Sequence, residues 1–99
     1  MAYVIEYSPE VESHLRLLTT RQQRIVTDTV DHELRNQPRV ETRNRKPMRP
    51  NPIAPWELRI GNLRVYYDVE DRPRKRVVIL AVGVKVRNQV RIGKELIQL

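Results

Sequence analysis

Trp56-Glu57-Leu58-Arg59-Ile60-Gly61-Asn62-Leu63-Arg64-Val65-Tyr66-Tyr67 is the stretch on which the fold turns. Apolar Trp56, Leu58 and Ile60 alternate with Glu57 and Arg59. After Gly61-Asn62, Leu63, Val65, Tyr67 and Val69 alternate with Arg64, Tyr66 and Asp68. Strict period-two alternation describes strands with one apolar face, and a Gly-Asn pair between two such runs describes a tight hairpin. Glycine at the first central position predicts a type II′ turn, whose twist matches that of the flanking strands. Ile60 is then paired with Leu63, and Arg59 faces Arg64 across the ladder.

Upstream, Ala2 to Tyr7 reads as a short strand closed by Ser8-Pro9, with Ser8 as cap and Pro9 at the first position of a helix. Val11, Leu15 and Leu18 recur at helical spacing. A Thr20-x-x-Gln23 capping box then predicts a second helix, with Ile25, Val26, Val30 and Leu34 on one stripe and an end near Asn36, because Pro38 disfavours helical geometry at Gln37. The two form a helical hairpin. Arg39 to Pro55, with Pro47, Pro50, Pro52 and Pro55, reads as a loop or an irregular edge segment.

Downstream, Asp71-Arg72-Pro73 is a turn, and Val77 to Val82 is an apolar run predicted to be a fully buried central strand ending at Gly83. The tail carrying Lys85, Arg87, Arg91 and Lys94 shows little pattern, and Glu95 to Leu99 reads as extended. Together these give an α+β fold, an N-terminal strand and helical hairpin packed on a small, mainly antiparallel sheet, as one domain over residues 1–99. A chain of this length buries roughly 60 to 70% of its unfolded surface, enough for one modest core.

Charge divides along the chain. Residues 39 to 99 hold 15 Lys and Arg against 6 Asp and Glu, whereas residues 1 to 38 hold 4 against 6. Solubility needs only a mixed surface, and a one-sided field costs self-repulsion, so the basic end is expected to face a polyanion. The chain has no cysteine, which excludes a disulfide framework and a thiolate metal site. The sequence begins with a strand pattern rather than a signal segment, and no run approaches the roughly 20 apolar residues of a bilayer span. A cytoplasmic protein with no membrane partner is expected.

The chemistry concentrates in the hairpin. Like charges opposed across a ladder cost about 0.2 to 1 kcal/mol, so the Arg59/Arg64 pair points to an anion site in which two guanidinium groups clamp phosphate oxygens. The competing reading is a solvated sheet face neutralised by Glu57 and Asp68. Lys85 and Arg87, after Gly83, are placed to join the arginines. Tyr66 shares their face by parity, where it either stacks on a base and bonds a phosphate or packs beside the arginine stems. Trp56 and Tyr67 belong to the core face, and His14 is a surface or boundary residue. Arg43, Arg45, Lys46 and Arg49 form a second basic cluster in the Pro-containing loop, either solvated or extending a phosphate track.

The hairpin, with Ile79-Leu80-Ala81-Val82-Gly83 and the order strand, helices, basic loop and sheet, resembles the RelE/ParE toxin superfamily of bacterial type II toxin-antitoxin systems, over nearly the whole chain and most closely its RelE-like branch. The resemblance implies an mRNA endonuclease acting with the ribosome, in which the 2′-hydroxyl of the mRNA attacks the adjacent phosphate without a metal or other cofactor. It assigns phosphate stabilisation to Arg64 and Arg59, a basic role to Lys85, and charge or orientation to Arg91. It also implies an acidic antitoxin that covers the basic face. Two departures stand out: Glu57 occupies a position where the most active relatives have lysine, and Arg91 lies near their proton-transfer tyrosine or histidine. An arginine is a poor general base. The alternatives are a ParE-like inhibitor that binds DNA gyrase without chemistry, and a degenerate member that retains only nucleic-acid or antitoxin binding.

Overall fold

The computed structural model describes residues 2–99. Strand β1 (Val4–Tyr7) leads into helix α1 (Pro9–Arg16) and helix α2 (Thr20–Leu34). Six strands follow: β2 (Arg45–Pro47), β3 (Trp56–Ile60), β4 (Leu63–Glu70), β5 (Arg76–Val86), β6 (Gln89–Ile92) and β7 (Glu95–Ile97). They form one sheet in the order β2-β3-β4-β5-β6-β7, antiparallel throughout, with β1 added parallel to the first part of β5. Among the described residues no helix is long and apolar enough to cross a membrane.

The hairpin has the expected register, with Ile60 paired to Leu63 and Arg59 to Arg64. Gly61 has φ +59° and Asn62 is not among the positive-φ residues, the φ signs of a type II′ turn. Alternation then divides the sheet. Leu58, Leu63, Val65, Tyr67, Val69, Val77 and Ile79 meet Val11, Val26, Val30 and Leu34 of the helices in the main core. Tyr67 stacks near Trp56, with ring centroids 6.1 Å apart, and donates its hydroxyl to the Pro38 carbonyl at 2.7 Å.

The second face also has a core. Tyr66, Ala81, Val90 and Ile92 are buried there with Ala54, and Met48, Ile53, Leu80 and Ile97 pack against them. The pairing of β4 with β5 shifts between Tyr66/Ala81 and Tyr67/Ile79, so one extra β5 residue is accommodated. That shift explains why adjacent Leu80 and Ala81 both reach the second core.

Several local expectations change. The capping box is Thr19 with Gln22, one residue earlier than the Thr20/Gln23 pair: Gln22 N donates to Thr19 Oγ1 at 3.0 Å and Thr19 N to Gln22 Oε1 at 2.9 Å. Ser8 is the N-cap of α1, but its hydroxyl is buried without a partner. Ile25 lies at the exposed margin of the α2 stripe. Within Arg39 to Pro55 a three-residue edge strand, β2, pairs with β3.

Strand β5 is central but not buried on both sides, and it continues past Gly83 to Val86. Its helix face is sealed, whereas its other face is covered only by the Pro-rich loop and the C-terminal strands, so Val78 and Leu80 stay half-buried. The weakly patterned tail folds into two further strands. Their turns depend on backbone geometry more than on composition: Arg87 adopts φ +56° and Gly93 φ +63°.

Gly83 allows this tail to close. A Cβ there would stand 2.5 Å from the Arg91 carbonyl oxygen and 2.7 Å from Val90 Cγ1. A strand glycine marks such a close approach, here of β6 against β5.

Candidate active site

Cross-strand pairing sets Lys46 beside Glu57, Glu57 beside Tyr66, Arg59 beside Arg64, and Arg64 beside Gly83. Two residues beyond Gly83, Lys85 reaches the same face. These side chains open onto a cavity of about 730 Å³ lined by Lys46, Arg49, Glu57, Arg59, Arg64 and Lys85. Met48, Pro50 and Pro52 form one apolar wall, and Val90 and Ile97 form another. Five cations surround one carboxylate, a concave basic surface suited to a phosphodiester.

Arg64 is only 8% exposed. Its Nη1 donates to the Gly61 and Leu63 carbonyls at 2.7 and 2.8 Å, so the turn itself fixes the guanidinium in the cavity wall. Arg59 is held by Glu57, Nε to Oε1 at 2.8 Å, with the Glu57 side chain 11% exposed and that of Arg59 50%. This pair offsets the repulsion between the opposed arginines. Lys85 is exposed in side chain while its N–H donates to the Asn62 carbonyl at 2.7 Å, which ties β5 to the turn.

Asn51 organises the Pro-rich wall. Its Oδ1 accepts from Ile53 N at 2.8 Å and Ala54 N at 3.0 Å, and its Nδ2 donates to the Arg49 carbonyl at 2.7 Å and the Ala54 carbonyl at 2.9 Å. An asparagine bonding the backbone two and three residues ahead is a turn device, and here it presents Arg49 to the cavity.

The other expected site residues lie elsewhere. Tyr66 is fully buried in the second core, so base stacking by its ring is ruled out in this structure. Its hydroxyl lies near the Glu57 carboxylate but makes no well-formed hydrogen bond to it. Burial, with the nearby Glu57 charge, pushes that hydroxyl well above the ordinary phenol range, so it remains a proton donor. Arg45 turns to the helix layer and donates Nη1 to the Glu33 carbonyl at 2.6 Å in the last turn of α2, a good place for a cation. Its expected place on a phosphate track is therefore replaced by a helix-capping one.

Arg91 pairs with Val84 and Leu96, one residue out of phase with Lys85 and Val90, which puts it on the opposite face of the sheet from the cavity. Its expected contribution beside the phosphate is thus overturned by strand parity. Arg87 sits at the exposed β5–β6 turn and Arg43 is exposed in the loop before β2; neither lines the cavity. Sequence reasoning missed the Val90/Ile97 wall, because the tail strands that build it carry little pattern.

His14 is a boundary residue with a structural bond. Its Nδ1 accepts from Val82 N at 3.3 Å, next to the shifted β4–β5 register. Partial burial lowers its pKa below the usual value, with Glu10 opposing.

No family model matches the chain, and no curated protein matches it. Among solved structures, the fold superposes on a chain of the crystal structure of the toxin-antitoxin complex RelBE2 from Mycobacterium tuberculosis. The TM-score is 0.73 at 25% sequence identity, covering 86% of this chain and 100% of that one. With the helices on one face of a mainly antiparallel sheet built around the Trp56–Tyr67 hairpin, the chain has the RelE-like fold of the RelE/ParE superfamily.

Proposed function

We propose that this protein is the toxin of a type II toxin-antitoxin system and acts as a metal-independent endoribonuclease on mRNA at the ribosome. The observation that carries this reading is the cavity in which Arg59 and Arg64 stand opposed across the hairpin with Lys85 beside them. Two planar guanidinium groups and an ammonium suit a phosphate whose charge grows as a fifth oxygen approaches phosphorus. Because the turn carbonyls already hold Arg64, its side chain loses little freedom on binding. Lys46 and Arg49 extend the positive surface along the strand of RNA.

The partner that silences such a site is an acidic antitoxin laid over the basic cavity. The charge division along the chain and the similarity to a chain of a toxin-antitoxin complex support it.

Primer extension on mRNA incubated with the purified protein, with and without translating ribosomes, tests the proposal. Ribosome-dependent cuts that disappear in Lys85→Ala and Arg64→Ala are expected. Lys85→Ala is the cleaner control, since Arg64 also bonds the turn. Intact mRNA with folded wild-type protein would refute the endoribonuclease reading and bring forward gyrase inhibition, read out by supercoiling.

A further inference from the structure

Cleavage through the 2′-hydroxyl needs a group that accepts its proton, and the cavity is poor in such groups. Lys46, Arg49, Arg59, Arg64 and Lys85 are cations, and arginine does not give up its proton in proteins. The Tyr66 hydroxyl is buried and held in its protonated form. Arg91 is on the other face of the sheet. Among the described residues lining the cavity, the carboxylate of Glu57 remains as the single acidic side chain.

We infer that Glu57 is the general base of this site, which rests on the endoribonuclease reading above. The carboxylate stands on β3 two residues from Arg59, whose Nε holds Oε1 at 2.8 Å. Its charged neighbours are Arg59 on the same strand, Lys46 on β2, Arg64 on β4 and Lys85 on β5, and the neutral Tyr66 hydroxyl on β4 is its titratable neighbour. The contact with Arg59 does two things. It fixes the rotamer of Glu57 and delivers the carboxylate beside a guanidinium that binds the scissile phosphate, so that base and electrophile reach adjacent atoms of one nucleotide.

The step balances with these groups alone. The 2′-hydroxyl proton passes to Glu57 as a 2′ oxygen lone pair bonds to phosphorus. The bond from phosphorus to the 5′ oxygen breaks, its electron pair stays on that oxygen, and the Lys85 ammonium supplies a proton to it. The products are a 2′,3′-cyclic phosphate and a 5′-hydroxyl, and exchange with solvent restores both side chains.

Arg59 and Arg64 stabilise charge, while the carboxylate on the same strand as Arg59 removes the proton.

The test uses the full chain on programmed ribosomes, with wild type, Glu57→Gln, Glu57→Asp and Glu57→Ala compared by single-turnover cleavage, thermal midpoint and binding of an uncleavable mRNA with a 2′-deoxy nucleotide at the cut site. Glu57→Gln is expected to slow cleavage by roughly 10²- to 10⁴-fold while remaining folded, with a midpoint lowered only by the loss of the Arg59 ion pair, and binding the 2′-deoxy mRNA at least as well as wild type. Glu57→Asp, which retains a carboxylate, is expected to cleave faster than Glu57→Gln, and added formate should restore part of the rate to Glu57→Ala. Should the glutamine variant unfold, the aspartate and formate arms decide. Cleavage by Glu57→Gln within threefold of wild type overturns the assignment and leaves the endoribonuclease reading standing. Parallel loss of cleavage and 2′-deoxy binding also overturns it, because Glu57 then acts only by positioning Arg59. A wild-type protein that never cuts refutes both.

Discussion

Replacing Gly83 with alanine should open the closure of the C-terminal strands. The added methyl would stand 2.5 Å from the Arg91 carbonyl oxygen, 2.7 Å from Val90 Cγ1 and 3.0 Å from Ile92 Cγ1. Carbon pairs rest at about 3.5 to 4.0 Å, so the overlap with Val90 is roughly 1 Å. The Arg91 carbonyl belongs to the backbone of β6 and has no rotamer to escape into, so β6 itself must move. Overpacking of this kind costs typically about 1 to 3 kcal/mol, and with backbone in the way the upper half of that range applies. For a domain of this size the midpoint of thermal unfolding should fall by roughly 10 to 20 °C. Circular dichroism melts supply the measurement, with urea titration as a check that the m-value is unchanged. Gly61→Ala is the internal comparison: its Cβ meets nothing within 4 Å, so only the φ of +59° opposes it, at about 1 to 2 kcal/mol. Since β6 carries Val90 into the cavity wall, Gly83→Ala should also weaken RNA binding under the proposed endoribonuclease function. A Gly83→Ala midpoint within about 2 °C of wild type, or a larger loss for Gly61→Ala, would refute the argument that β6 packs on the glycine face.

Tyr66→Phe should leave stability unchanged or raise it slightly, because the hydroxyl is buried and unpartnered; removing such a group deletes a desolvation cost without breaking a bond. A melting midpoint lowered by several degrees would show instead that the hydroxyl has a partner. Stability should also depend on pH in two stages. Burial depresses the His14 pKa below 6.5, so the unfolded chain binds the proton first, and stability falls as pH drops from above 6.5 through the folded-state value. Lower still, Glu6, held down by Arg76 and Arg74, and Asp71, held down by Arg39 and Tyr3, lose their contributions as pH falls through their depressed values. Melts at stepped pH check this: His14→Gln should flatten the first stage only, and a first stage that persists in that variant counts against the His14 assignment.

Much of the layout of the candidate site was legible in the hairpin. Glycine and asparagine between two alternating runs determine the register, and register alone places Arg59 opposite Arg64 and Tyr66 on their face. Parity shows which way a side chain leaves the sheet, but not what covers it. Tyr66 illustrates the difference, since its face is partly sealed by β6, β7 and the loop around Ala54, all distant in sequence. Arg45 and Arg91 carry the same charge as Arg59 and lost their expected places for reasons of pairing, one by facing the end of α2 and the other by falling one residue out of phase with Lys85. The capping box is ambiguous by one residue in the sequence because Thr19 and Thr20 precede Gln22 and Gln23, and both pairings satisfy the motif.

The order of first strand, two helices, central hairpin and the strand after it, the two-residue turn, the apolar stripes of the helices and the basic character of one end were determined by the sequence itself. They rest on local periodicity and on charge, which need no distant partner. Which cations share a cavity, and that Glu57 sits among them, was decided only when β2, β5 and the tail strands closed around the hairpin. That closure depends on the tolerance of Gly83 for a neighbouring backbone and on contacts between residues far apart along the chain, a long-range packing effect that no local pattern records.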